Sequence, residues 1–170
     1  GVLRGIGDDA AISSLTPGTE LVSTVDLLLE GVHFNLSFTS AHLLGRKSLA
    51  VNLSDIAAMG ANPRFALLSL AVPKETTVEF IDDFIRGFLE MAGAHDVALI
   101  GGDTSSSPER LLISVTLLGE GKKENLVCRC GAHPGDDLYV TGTLGDSLLG
   151  LQVAQKREGK PTSSDEVYLM

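Results

Sequence analysis

Five aspartates stand where a carboxylate is out of keeping with its surroundings: Asp8, Asp9, Asp26, Asp55 and Asp103. Asp26 interrupts an apolar run, Asp55 lies among small and apolar residues between Ser54 and Ile56, and Asp103 follows Gly101-Gly102. None has a Lys or Arg beside it in sequence. A carboxylate in an apolar setting must be paired, protonated or metal-bound, because an isolated buried charge is very costly. Hard oxygen donors on separate elements suit Mg²⁺, which keeps part of its water shell and shares its coordination with phosphates. Taken singly, Asp55 fits a cap or a salt bridge and Asp8 a solvated loop. Together the acids point to a shared cation site.

Glycine is the second signal, with 19 residues. Gly5 and Gly7 precede the first acid pair, Gly101-Gly102 precede Asp103-Thr104-Ser105-Ser106-Ser107, and Gly142 and Gly145 flank Thr143-Leu144. Such loops let backbone N–H groups approach phosphate oxygens. Two common ways of holding ATP are missing, since there is neither a G-x-x-x-x-G-K-[ST] loop nor an H-R-D catalytic loop. The G-x-S-x-G elbow, the H-E-x-x-H helix and paired C-x-x-C motifs are missing too. Composition and spacing therefore give a metal-dependent, phosphate-handling site without naming its substrate.

The elements that must position these residues can be read from periodicity and punctuation. Thr16-Pro17-Gly18-Thr19 marks a turn, after which Glu20–Leu29 reads as a buried strand. Ser40 is placed to cap a helix from about Ala41 to Met59, stopped by Gly60, and Phe65–Val72 follows as a strand. Thr76 or Thr77 opens a second helix with the stripe Phe80, Phe84, Ile85, Phe88 and Met91; Glu79 would complete a capping box with Thr76. Asp96–Ile100 reads as a short strand ending at Gly101-Gly102-Asp103, and Leu111–Leu118 as another, with a charged excursion from Glu120 to Asn125. His133-Pro134-Gly135-Asp136 is a turn and the expected domain boundary, followed by a strand Leu138–Thr141 and a helix from about Ser147 to Arg157. The alternation predicts an α+β, or mixed α/β, domain with a mixed sheet packed by helices.

The bulk numbers exclude more than they identify. With 44% apolar and 21% charged residues the chain reads as a globular protein, and no apolar run approaches the ~20 residues that span a bilayer. The net charge of −9 argues against nucleic acid as a partner and fits a protein that gathers cations. Cys128 and Cys130, one residue apart, point to opposite faces of an extended segment, so two free thiols are expected. The start lacks the apolar core of a signal peptide and an initiator Met, which predicts a cytosolic protein whose beginning has been cut away.

Several blocks together resemble a known family. Gly5-Ile6-Gly7-Asp8-Asp9-Ala10-Ala11, Ser23-Thr24-Val25-Asp26 with Glu30-Gly31-Val32-His33-Phe34, and Lys47 through Pro63 look like thiamine-monophosphate kinase. So do Leu99-Ile100-Gly101-Gly102-Asp103-Thr104 and Pro134-Gly135-Asp136 with Tyr139 through Asp146. The resemblance implies transfer of the ATP γ-phosphoryl group to thiamine monophosphate, with several Mg²⁺ ions. It implies metal ligation by Asp9, Thr24, Asp26, Asp55 and Asp103, with Val25 contributing only its backbone carbonyl where the family more often has Thr. It assigns Gly102, Asp103 and Arg129 to the nucleotide and His33 to the substrate, with no residue acting as acid or base. It further implies a homodimer through an N-terminal domain of the aminoimidazole ribonucleotide synthetase-like fold, residues 1–131, with 132–170 beginning a second, incomplete domain. The isolated chain is then expected to bind Mg²⁺ or nucleotide weakly and turn over little. The alternatives are an aminoimidazole ribonucleotide or selenophosphate synthetase type of enzyme from the same superfamily, or a non-catalytic dimerisation and metal-binding module.

Overall fold

The structure is a computed structural model and describes residues 1–156. Its backbone is a four-stranded mixed sheet in the order β3-β6-β4-β5, formed by β3 (Glu20–Leu29), β4 (Asn62–Pro73), β5 (Ala98–Ser107) and β6 (Leu112–Gly121). Two helices, α1 (Ala41–Ala58) and α2 (Val78–Ala94), cover one face. A small two-stranded sheet of β1 (Val2–Arg4) and β2 (Ile12–Ser13) precedes them, and α3 (Asp146–Lys156) follows. β4 and β5 run parallel through the α2 crossover; β3 and β4 each pair antiparallel with β6.

Burial explains the arrangement. Residues of β6 alternate between buried and partly buried, with Ile113, Val115 and Leu117 turned to the helices. Against them pack Leu44, Leu49 and Ile56 of α1 and Phe84 and Phe88 of α2. The helices cross closely at Gly45 and Gly87, where an added Cβ would overlap the Phe84 carbonyl from one side and the His42 carbonyl from the other. Ser40 caps α1 by accepting from the Leu43 amide, as expected. The α2 cap is Thr77, accepting from the Phe80 amide, so the Thr76–Glu79 capping box does not form.

The opposite face of the sheet is open. It presents Leu21, Val25 and Leu27, the last two 62% and 52% exposed. Side chains paired across a sheet share a face, so two register rows define the faces. Asp26–Val115–Leu68–Gly102 lies on the helix side, where Val115 and Leu68 are buried, and Leu27–Ser114–Ser69–Asp103 lies on the open side.

Three sequence expectations need correction. The strand expected to stop at Ile100 continues to Ser107, because one bulge residue at Ile100 lets Leu99 pair with Ala66 and Gly101 with Leu67. Gly102 makes this continuation possible: its φ is 155°, and a Cβ there would overlap the Leu68 carbonyl oxygen. Glu120 belongs to β6 and is only 5% exposed, so the charged excursion shrinks to a 3₁₀ turn at Lys123–Asn125. The strand expected at Leu138–Thr141 does not form; Leu138 is fully exposed, because no neighbouring strand among the described residues offers its hydrogen bonds. The turn at His133–Asp136 is present, with paired contacts between the two residues. The last helix matches its expected span except for Arg157, which lies with the chain's tail outside the described residues.

Candidate functional site

The helix-facing side of β3 and the last turns of α1 bring Thr24, Asp26 and Asp55 together. Thr24 Oγ1 donates to Asp55 Oδ2 at 2.7 Å. Burial and the nearby Asp55 charge push the Asp26 carboxyl above its usual pKa, while His33, when protonated, pulls it back. Neither Asp26 nor Asp55 forms a salt bridge with a Lys or Arg among the described residues. A half-buried carboxylate under like-charge repulsion, a second carboxylate and a hydroxyl form a hard-oxygen donor set, and this set fits a divalent cation.

His33 sits just beyond the end of β3. Its amide donates to the Leu29 carbonyl at 2.9 Å, and the Leu29 amide donates back to the ring Nδ1 at 3.0 Å. The edge position of β3 explains the second bond: Leu29 has an amide to satisfy at the rim of the sheet, and the imidazole satisfies it. With Nδ1 as acceptor, the neutral ring carries its proton on Nε2. Lys47 Nζ donates to the His33 carbonyl at 2.7 Å.

Arg129 reaches the same edge by a different route. After the 3₁₀ turn, the Val127 amide donates to the Met59 carbonyl at 3.0 Å, which lays residues 127–129 against the end of α1. Arg129 and Cys128 then line, with Thr24, Asp55 and Met59, a cavity of about 350 Å³. Both cysteines are free and exposed.

Asp9, Gly102 and Asp103 lie elsewhere. The segment 6–11 and the Gly101–Thr104 part of β5 line one large open cavity of about 1070 Å³, which takes in the β5 edge and extends over β4 to Thr116 and Leu118 of β6. Asp103 Oδ1 accepts from the Thr104 amide at 2.8 Å. Asp8 faces Arg4 at 3.5 Å and accepts from the Asp9 amide, whereas Asp9 has no ion pair among the described residues. The side chain of Val25 points to the open face. A single chain thus forms two acidic groups on opposite edges and opposite faces of one sheet. Among the described residues, no three His, Cys, Asp or Glu side chains form a group able to hold a metal.

Lys47 and Cys128 join the site without a motif of their own to announce them. The signal for Lys47 was present in its helix: a cation between Gly45 and Leu49, both buried, cannot be fully solvated. Burial lowers its pKa accordingly. Cys128 enters the cavity only through the packing of residues 127–129, which no local pattern announces.

The comparisons with known proteins agree with the resemblance read from the motifs. A thiamine-monophosphate kinase of Bacillus subtilis (strain 168) is 43% identical over 95% of this chain and 50% of its own length. The crystal structure of thiamine-monophosphate kinase from Stenotrophomonas maltophilia K279a matches with a TM-score of 0.83 and 45% identity, over 91% of this chain and 48% of that one. AaThiL complexed with AMPPCP and TMP matches with a TM-score of 0.82 and 35% identity, over 98% of this chain and 52% of the other. The chain therefore spans about half the length of the curated relatives it matches. Residues 7–120 match the family model described as AIR synthase related protein, N-terminal domain. With that match over most of its length and a mixed sheet packed on one face by two helices, the chain belongs to the AIR synthase related family.

Proposed function

We propose that this chain is the metal- and nucleotide-binding half of a kinase that phosphorylates thiamine monophosphate to thiamine diphosphate with ATP. The observation that carries the reading is the likeness, over 98% of this chain, to a structure complexed with AMPPCP and TMP. The Thr24–Asp26–Asp55 group supports it chemically, because Thr24 and Asp55 line a cavity that Arg129 also lines, with Asp26 under the influence of the Asp55 charge.

In this reading Asp26, Asp55 and Thr24 supply oxygen ligands to Mg²⁺, together with Asp9, Asp103 and the Val25 backbone carbonyl. Bound Mg²⁺ ions neutralise the phosphates of donor and acceptor, which would otherwise repel one another. Arg129 and the close-packed Gly102–Asp103 backbone bind the nucleotide, and His33 presents its Nε2 N–H to the substrate. The acceptor phosphate is ionised at neutral pH, so the chain needs no strong general base. Its residues act by positioning and charge compensation for an in-line attack.

The separation of the two acidic groups is reconciled by a homodimer. In this reading a second copy would meet the open face, where Val25 and Leu27 are exposed, and the β5 edge of one protomer would lie against the β3 edge of the other. One site then takes Asp26 and Asp55 from one protomer and Asp9 and Asp103 from its partner. We assign residues 1–131 to this dimerising domain and 132–170 to the start of a second, and we place the protein in the cytoplasm. No helix among the described residues is long and apolar enough to cross a membrane. The 170-residue chain alone is expected to bind Mg²⁺ and nucleotide weakly and turn over little.

The test is a product assay of the intact protein with ATP and Mg²⁺, offering thiamine monophosphate and, separately, an aminoimidazole precursor. Thiamine diphosphate is the expected product; turnover of the purine precursor alone would replace this reading with the synthetase one.

A further inference from the structure

We propose that Lys47 is a positioning residue for the acceptor substrate: it ties the His33 loop to the helix that carries Asp55. This rests on the assignment of His33 to the substrate. Lys47 Nζ donates to the His33 carbonyl at 2.7 Å. The ring itself is held from the other side by the Leu29 amide, and the His33 amide by the Leu29 carbonyl. Among the described residues, each polar group of His33 except Nε2 thus has a partner, and two of the partners belong to the end of β3 while the third belongs to α1.

The geometry gives this contact a purpose beyond local order. Lys47 and Asp55 lie eight residues apart in α1, which is about 12 Å along its axis. Asp55 is in turn bonded to Thr24 of β3. The helix is therefore joined to β3 beside the proposed metal ligands and to the loop after β3 at the proposed substrate residue. Between the two, α1 sets the separation of Lys47 from Asp55, and the Lys47 and Thr24 bonds carry that separation to His33 and to β3.

Lys47 is suited to this task by its surroundings. It is half-buried, burial lowers its pKa, and no carboxylate among the described residues pairs with it. With His33, Phe34, Phe38 and Leu43 it lines a cavity of about 280 Å³ beneath α3. A surface lysine would face water; this one faces a carbonyl of the loop that it steadies.

The experiment is a set of variants in the intact protein, assayed with thiamine monophosphate and ATP varied separately. Lys47→Met should raise KM for thiamine monophosphate by on the order of tenfold and leave KM for ATP within about twofold. Lys47→Arg, which keeps a charged donor, should recover most of the loss. In a His33→Ala background, Lys47→Met should add less than about twofold, because a residue acting through His33 has nothing left to position. Three results overturn the proposal: an unchanged KM for thiamine monophosphate, an equal rise in both constants, or full additivity with His33→Ala. If His33→Ala alone leaves KM unchanged, it is the substrate assignment of His33 that fails. The tie is then judged without turnover, from the ¹⁵N shifts of the His33 ring: Lys47→Met should move them, and unmoved signals would overturn it.

Discussion

The two edges of the sheet carry the same chemical raw material and treat it differently. At the β3 edge, acids, hydroxyl, imidazole and arginine are drawn into one neighbourhood by contacts the chain makes with itself: Thr24 to Asp55, Leu29 to His33, and Val127 to Met59. At the β5 edge, Asp103 and Asp9 sit around a cavity three times as large, and among the described residues Asp103 bonds only to its own neighbour's amide. One edge is assembled by folding, and the other is displayed. A chain can pre-organise half of a charge-binding site cheaply, but gathering every acid before the cation arrives would stack like charges in one place. In the homodimer we propose, dividing the acids between edges would postpone that repulsion until the protomers and their ligands meet.

The comparison can be broken most directly at the acids. In the intact protein, Asp26→Asn and Asp55→Asn should each lower kcat/KM by at least ~100-fold, more than the loss typical of outer-shell partners of a metal; activity within tenfold of the parent would remove the β3 edge from the site. Asp103→Asn should be similarly poor alone. Mixing Asp26→Asn with Asp103→Asn protomers should then restore about a quarter of the parental activity, since half of the dimers are mixed and each keeps one intact site. No recovery on mixing, with exchange of protomers verified, would mean that each site is built within one chain.

Stability separates the edges on a finer scale. Glu120 accepts from the Thr16 amide at 2.8 Å, the Thr16 hydroxyl at 2.7 Å and Arg64, and so pins the turn before β3 to the sheet. The Thr16 bonds, with help from Arg64, hold its carboxyl below the usual range although burial opposes them. Its contribution is therefore present above the usual carboxylate pKa and is lost as pH falls through the depressed value. Glu120→Gln should cost about 2 kcal/mol at pH 7 by denaturant unfolding, and less in acid. Asp26 has the opposite sign, because its pKa is raised. Its ionised form weighs against the folded state above that pKa, so Asp26→Asn should stabilise the metal-free protein at pH 7 by a few tenths of a kcal/mol after solvent screening. The gain should vanish below about pH 4. Added Mg²⁺ should raise the Tm of the parent more than that of the variant.

Much of this was legible in the sequence, for identifiable reasons. β3 begins and ends where its apolar run does, and α1 begins at its serine cap, because those signals are local. The continuation of β5 through Gly101-Gly102-Asp103 was not legible, since glycines that look like a loop are here the residues that let two parallel strands approach. Glu120 looked like part of a solvated charge run; only the return of Thr16 and Arg64 from distant sequence buries it. The motifs singled out the site residues one by one, but which of them would be neighbours depended on the pleat. Asp26 and Asp103 share a sheet and not a face, a fact set by strand register that no spacing along the chain encodes.

The crossing at Gly45 and Gly87 has a bearing on how such a protein can change. Backbone there touches backbone, so α1 has no cushion of side chains in which to shift. A change in the tilt of α2 would therefore press directly on α1, the helix that bears Asp55. Substitutions on the outer surface of the second helix, remote from any ligand, thus have a mechanical route to the chemistry, while the ligand-facing residues keep their identities.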